Sequence, residues 1–209
     1  MSGGPPAPLA GSAPASIPDL LGRYPVGGPP TGTAGAAVTI VLRQGRAEVE
    51  ALLIERAESE SDPASGQVGL PGGHVDDEDT SLERTALREL HEEVGLGETD
   101  LEGRPRFVET RLAARFHLKV AIFVGELAPK AKAPIPASRT EVAHVFWLPR
   151  SALAHARQVP RDTPLGWIEV TATVHDGHIL WGFTRRVLRD FFGFPPEDEL
   201  GGLPFAPQA

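Results

Sequence analysis

Residues 70–96, LPGGHVDDEDTSLERTALRELHEEVGL, constrain the fold of this chain more strongly than any other stretch. The segment opens with a Pro-Gly-Gly turn, passes through an acidic run and ends with a crowded group of carboxylates, Glu89, Glu92 and Glu93. Apolar residues recur through its second half at helical spacing and predict a core-facing side made of Ala86, Leu87, Leu90 and Val94. A loop followed by an amphipathic helix is therefore expected here.

Both ends of this helix carry local signals. Thr80-Ser81-Leu82-Glu83 has the form of a capping box, which satisfies the first free backbone amides of a helix. Asp79 is an alternative N-cap. Gly95 stands where a left-handed residue ends a helix. The predicted helix thus lies between the capping box and Gly95.

The three glutamates are spaced so that their carboxylates stack on one helix face. Like charges at this spacing destabilise a helix by about 0.2–0.5 kcal/mol per pair, and the dipole disfavours negative charge near a helix C-terminus. A solvated acidic face is one interpretation. The adjacent turn at residues 71–73 favours another, because it brings backbone carbonyls close to the carboxylates. Carboxylate and carbonyl oxygens are the ligands that Mg²⁺ or Mn²⁺ prefers, so the pattern predicts a divalent-cation site.

The remaining sequence predicts an α/β fold with a sheet, a helix in the middle and another helix at the end. Strand-like runs with β-branched and aromatic residues are predicted at 36–57 (two strands joined at Gln44-Gly45-Arg46), 106–129 (two strands), 141–149, and a hairpin that turns at Asp176-Gly177. Helical signals lie at 150–156 and at 183–193, where Gly193 is a C-cap candidate.

One domain is predicted over residues 35–193. Residues 1–34 form a Pro/Gly-rich extension that is expected to be flexible, although the apolar island at 17–25 is a candidate for docking on the domain. Residues 194–209 are expected to form a tail of low order.

Composition excludes several classes of function. A net charge of −8 argues against binding nucleic acid through its backbone charge. The absence of cysteine excludes disulfides, thiolate metal sites and a cysteine nucleophile, and fits a reducing compartment. The chain has neither an apolar run of about 20 residues nor a secretory signal, so a cytoplasmic protein without a membrane partner is expected.

The glycine turn and the acidic helix resemble the Nudix box, the signature of hydrolases that act on nucleoside diphosphates linked to another moiety. The matching residues are Gly73, Arg88-Glu89-Leu90, Glu92-Glu93 and Gly95-Leu96. The resemblance implies an α/β/α sandwich with a mixed central sheet and a loop-helix-loop. It also implies a small-molecule nucleotide substrate, an Mg²⁺ or Mn²⁺ cofactor, and a monomer or homodimer.

The same resemblance assigns roles to residues. Metal ligands would be Glu89, Glu92, Glu93 and Gly73, and catalytic residues would be Glu92, Glu93 and Arg88, with one glutamate as base. Arg88 would orient a carboxylate, the alternative being an ordinary surface ion pair. Substrate-binding candidates are Arg56, Gly72, His74 and Glu141. For His74 and Glu141 a plain loop role and a structural role stay open.

The box is one residue longer than the common Nudix spacing between Gly73 and Arg88, which leaves Asp79 as the supporting acid in place of the missing one. This length resembles the coenzyme A pyrophosphatase branch, as do LLIERA, GQVGLPGG, EVAHVFWLP and ILWGFTRRVL. The branch implies cleavage of coenzyme A or an acyl-CoA to 3′,5′-ADP and (acyl-)4′-phosphopantetheine. Hydrolysis of ADP-ribose or NADH, and a non-catalytic ligand sensor, are the alternatives.

Some features depart from that branch. The segment AESESDPAS lacks its usual Leu-Arg pair, Leu70 replaces Phe, and His74 replaces a frequent Lys, which removes positive charge and an aromatic ring. Three basic residues could compensate or simply face solvent: Arg111, Arg115 and Lys119. Trp181 is interpreted as packing on the final helix rather than stacking on a base.

Overall fold

The computed structural model describes residues 16–26, 34–59, 65–114, 117–163 and 166–197. The strands are β1 (Ala36–Gln44), β2 (Val49–Arg56), β3 (Val68–Gly69), β4 (Gly72–His74), β5 (Arg106–Ala113), β6 (Leu118–Glu126), β7 (Val142–Pro149), β8 (Arg157–Thr163), β9 (Gly166–His175) and β10 (His178–Trp181). The helices are α1 (Ile17–Leu21), α2 (Leu82–Val94) and α3 (Gly182–Phe191), with 3₁₀ turns at Glu98–Asp100 and Arg150–Ala154.

A seven-stranded mixed sheet forms the centre of the domain. Its main order is β3-β2-β1-β6-β5, with β4 on β1 and β7 on β2. Strand β1 runs parallel to β6 and antiparallel to β2. Beyond the β1–β2 hairpin, β1 pairs with β4 and β2 pairs with β3, so the two short strands continue the sheet where β1 and β2 separate. The predicted mixed sheet is confirmed.

Side chains of the central strands alternate between two packed layers, as the two-residue period of a strand requires. Ile40 and Leu42 of β1 are buried in the cluster that includes α1 and α3, whereas Val41 is buried in the cluster that includes α2. The sheet therefore lies between α2 on one face and α1 with α3 on the other. This arrangement confirms the predicted α/β/α fold class.

Three local predictions need correction. The N-cap of α2 is Ser81, whose hydroxyl accepts the amide of Arg84 at 3.2 Å, rather than Thr80 or Asp79. The predicted helix at 150–156 is a 3₁₀ turn at Arg150–Ala154. Strand β8 escapes prediction because its sequence is polar and contains Pro160, and it completes a second, three-stranded sheet with β9 and β10.

Other local predictions are confirmed. Gly95 is left-handed with φ of 71° where α2 ends. The hairpin turns at Asp176 and Gly177, both with positive φ. Gly193 also has positive φ, one residue after the Phe192 C-cap of α3.

The apolar island at 17–25, a candidate for docking, packs on the domain, and so does the beginning of the tail, which was expected to lack order. Ile17 and Leu20 of α1 are buried in the core, and Tyr24 stacks on Phe191 with ring centroids 5.8 Å apart. After α3, Glu197 accepts hydrogen bonds from Arg185. Residues 1–15, 27–33 and 198–209 lie outside the described residues, and the predicted domain boundaries stay a prediction. No helix within the described ranges is long and apolar enough to cross a membrane.

Candidate active site

The Gly-Gly strand β4 brings backbone and carboxylates into close approach. Gly72 has φ of 151°, and a Cβ on it would lie 2.3 Å from the Ala37 carbonyl oxygen of β1. A Cβ on Gly73 would lie 2.5 Å from Oε1 of Glu89 on α2. The neighbouring strand therefore requires glycine at position 72, whereas a side chain at position 73 would displace the Glu89 carboxylate.

Glu93 is the most buried of the three glutamates. It is 5% exposed, and its Oε2 accepts the Gly72 amide at 2.8 Å while Oε1 lies 3.6 Å from Nη1 of Arg56. Burial raises the pKa of Glu93 to about 8; the negative charges of Glu89 and Glu141 add to the rise, and the Gly72 amide and Arg56 oppose it. A buried carboxylate with this pKa is one that a nearby cation would convert to its charged form.

Arg88 connects the loop to the helix. All five guanidinium N–H donors can be assigned to oxygen acceptors: both carboxylate oxygens of Asp79 at 3.2 and 2.9 Å, Glu89 at 2.9 Å, Glu92 at 2.8 Å and the His74 carbonyl at 2.9 Å. The bidentate pair with Arg88 lowers the pKa of Asp79 to about 2. The structure thus brings Arg88, Asp79 and two of the predicted glutamates together, which goes beyond an ordinary surface ion pair.

The three carboxylates are the kind of ligand that a hard divalent cation prefers, but their side chains do not all point to one position. Burial raises the pKa of Glu89, as it does for Glu93, and each of the two keeps one oxygen without a hydrogen bond from the described residues. Within the described ranges, however, no three acidic or histidine side chains already converge as a metal site. Glu92 is 51% exposed and turned toward Arg88, so it would have to rotate to join the other two.

The structure places three of the four predicted substrate-binding residues in one cleft and the fourth outside it. Arg56, Gly72 and His74 line a cleft of about 690 Å³, here called the apolar cleft, together with Gly73. Glu141 is exposed just before β7 and does not line this cleft, although its charge acts on Glu93. Apolar walls come from distant elements: Leu118, Val120, Trp181 and Phe183. Trp181 therefore faces the cleft instead of only supporting the final helix.

Sequence reasoning missed two cleft residues on α3. Phe183 and Arg186 are three positions apart, so they share one helix side, and both line the apolar cleft. The quoted match ILWGFTRRVL contains both, but a linear motif does not show that this turn lies against β4. Of the proposed compensating bases, Arg111 pairs with Glu109 and Asp190, Lys119 is exposed on β6, and Arg115 lies outside the described residues.

The fold and the site define a class: an α/β/α protein whose acidic helix packs on a Gly-Gly strand beside a cleft. Residues 33–165 match the NUDIX domain family, and the chain belongs to that family. The prediction of a Nudix hydrolase domain is confirmed at this level. Members of the family generally use divalent metal ions.

Named relatives agree with this assignment. "Uncharacterized Nudix hydrolase NudL" of Enterobacter sp. strain 638 is 34% identical over 158 residues, 74% of this chain and 79% of that protein. The protein of the same name from Escherichia fergusonii is 33% identical over 132 residues, and the match spans 65% of its length, slightly less than two thirds. A MutT/nudix family protein from Enterococcus faecalis shares the fold with a TM-score of 0.50 at 16% identity, covering 86% of this chain and 68% of that one. None of these names states a substrate.

Proposed function

We propose that this chain is a divalent-cation-dependent pyrophosphohydrolase whose substrate is coenzyme A or an acyl-CoA. One observation carries the proposal: Glu89 and Glu93 pack on the same two glycines that line the apolar cleft. A diphosphate bound over β4 would therefore lie beside carboxylates able to hold cations, while the rest of the substrate extends into the cleft.

The roles of the protein groups follow from their environments. Mg²⁺ or Mn²⁺ held by Glu89, Glu92, Glu93 and the Gly73 carbonyl would supply charge neutralisation of the diphosphate and activation of water. Arg88 fixes Glu89 and Glu92 relative to the loop, and Arg56 places a positive charge next to the buried Glu93. Glu92 is the candidate for the base because it is the most exposed of the three and can reach water.

Coenzyme A is favoured by the long box and by the shape of the cleft. The extra residue is accommodated in the turn before α2, where Asp79 accepts the Asp76 amide at 3.0 Å and binds Arg88. The apolar walls of the cleft suit an extended pantetheine arm or a base. Hydrolysis of ADP-ribose or NADH is the second candidate. A ligand sensor is disfavoured because all three glutamates are present.

A substrate panel tests the proposal. Coenzyme A, acetyl-CoA, ADP-ribose and NADH would be incubated with the full chain and Mg²⁺ or Mn²⁺, and the products identified by mass. We expect 3′,5′-ADP and 4′-phosphopantetheine from coenzyme A. Glu92→Gln and Glu93→Gln should each lower kcat by at least about 10²-fold while the melting temperature stays near that of wild type.

Glu98→Gln is the matched control, because Glu98 is exposed just beyond α2 and outside the site. It should retain full activity. Binding of ligands across the panel without turnover would instead support a sensor, and full activity of either site variant would contradict the mechanism. A cytoplasmic location, a monomeric or homodimeric state, and the absence of nucleic-acid and membrane partners remain parts of this proposal.

A further inference from the structure

A second cavity of about 830 Å³, here called the polar cavity, meets the apolar cleft at Arg56. Its walls come from β2, β7, β8, the β9–β10 hairpin and residues 58–59 and 65–66 of the connection to β3, and include Arg161, His144 and Ser65. Arg56 lines both spaces and contacts Glu93, so the polar cavity begins one side chain away from the acidic helix. The register of β2 against β7 shifts between Glu55 and Arg56. Such an irregularity changes the direction of the side chains beside it. Both residues line the cavity.

Arg161 is the feature of this cavity that the fold alone does not explain. It projects from β8, which within the described ranges is an edge strand paired with β9. Its Nε is buried and has no hydrogen-bond partner among the residues that the structure describes. Buried polar groups are nearly always hydrogen-bonded in native proteins, because a donor removed from water without an acceptor costs free energy. A half-buried arginine whose Nε lacks an acceptor, in the wall of a cavity, is a candidate to bind an anion there.

The other charges of the polar cavity are engaged or exposed to water. Glu55 binds Nδ1 of His178 at 2.8 Å, and Glu58 is exposed, where solvent screens its charge. Arg56 faces Glu93. His144 and Ser65 add polar surface but no fixed negative charge. Arg161 is therefore the positive charge of this cavity without a counter-ion among the described residues, and an anion is the complementary ligand.

We propose that the polar cavity binds a phosphate monoester of the substrate, with Arg161 as its principal ligand and Arg56 between this group and the diphosphate. The proposal rests on the proposed function and deepens it. In coenzyme A only the ribose separates the 3′-phosphate from the diphosphate, which matches two anion-binding spaces that meet at one arginine. Arg161 would replace the positive charge that the AESESDPAS segment lacks.

Binding of two nucleotides that differ only in this phosphate tests the proposal without requiring turnover. Affinities of 3′,5′-ADP and 5′-AMP would be measured by calorimetry on the full chain as wild type, Arg161→Met and Arg161→Lys. A charge-assisted contact to a phosphate predicts that wild type binds 3′,5′-ADP about 10- to 100-fold more tightly than 5′-AMP. Arg161→Met should abolish most of this ratio, and Arg161→Lys should restore part of it.

Arg157→Met is the matched control. It removes the same charge from the same strand, but Arg157 is exposed and lines neither space. It should leave the ratio unchanged. Where coenzyme A is cleaved, Arg161→Met should raise KM for coenzyme A about 10-fold or more with little change in kcat, and should not alter KM for 3′-dephospho-coenzyme A.

The results separate this inference from the proposed function. Equal affinities of wild type for 3′,5′-ADP and 5′-AMP would overturn the inference, even if coenzyme A is hydrolysed. An unchanged ratio in a folded Arg161→Met variant would also overturn it. A ratio that depends on Arg161, in a chain that does not cleave coenzyme A, would support the phosphate subsite and refute the proposed reaction.

Discussion

Replacing Gly72 by alanine and replacing the adjacent Gly73 by alanine should have different effects on the protein. A Cβ on Gly72 would meet backbone, at 2.3 Å from the Ala37 oxygen and 2.6 Å from the Cα of Val38. The three atoms nearest a Cβ on Gly73 all belong to the carboxylate of Glu89, the end of a side chain that can rotate. Gly72→Ala is therefore expected to damage the fold, and Gly73→Ala the site.

The magnitudes follow from these contacts. At φ of 151°, Gly72→Ala combines backbone strain of about 1–3 kcal/mol with overpacking of about 1–3 kcal/mol. The sum, roughly 2–6 kcal/mol, is a large part of the stability of a typical domain. In Gly73→Ala the carboxylate must retreat by about 0.9 Å to reach ordinary contact at 3.4 Å. A displacement of about 1 Å in a catalytic group can lower the rate about 10²-fold.

Urea unfolding and steady-state kinetics distinguish the two effects. Gly72→Ala should lose roughly 2–6 kcal/mol of unfolding free energy. Gly73→Ala should lose less than about 1 kcal/mol yet lose about 10²-fold in kcat with the substrate found in the panel. Gly97→Ala would serve as a control, because its Cβ would meet no atom closer than 3.9 Å. A Gly73→Ala variant with full activity, or a Gly72→Ala variant as stable as wild type, would refute this reasoning.

Two further predictions concern ion pairs. Arg88→Lys should lower kcat by at least about tenfold, because an ammonium group cannot reproduce the planar guanidinium that binds both oxygens of Asp79. Steady-state kinetics and a melting curve would test this, and an unchanged kcat would contradict it. The hydrogen bond from Arg185 lowers the pKa of Glu197, so this pair stabilises the fold above the unfolded pKa near 4.5 and loses its effect as the pH falls through the folded pKa. Glu197→Gln should therefore cost up to about 1 kcal/mol at pH 7 and nothing near pH 2, as measured by urea unfolding at each pH, and an equal cost at both would contradict the assignment.

The sequence by itself determined the elements that depend on neighbouring residues. Helical periodicity and Gly95 located α2, and the spacing of the glutamates indicated a shared face before any tertiary contact was known. Strand-like runs located the strands that form most of the central sheet. These features are set by backbone geometry over a few residues, so a linear pattern is sufficient to reveal them.

Contacts between distant segments were decided by the tertiary structure. The pairing of Arg56 with Glu93, the walls of the apolar cleft and the isolation of Arg161 all depend on sheet order and register, which short patterns do not encode. Because Ser81 is the N-cap of α2, the Asp79 side chain is available to bind Arg88. The sequence allowed either residue to be the cap, and only the folded loop shows which one is. Local periodicity thus specified the acidic helix, whereas long-range packing determined which groups surround it, because burial and charge pairing exist only once the strands are assembled.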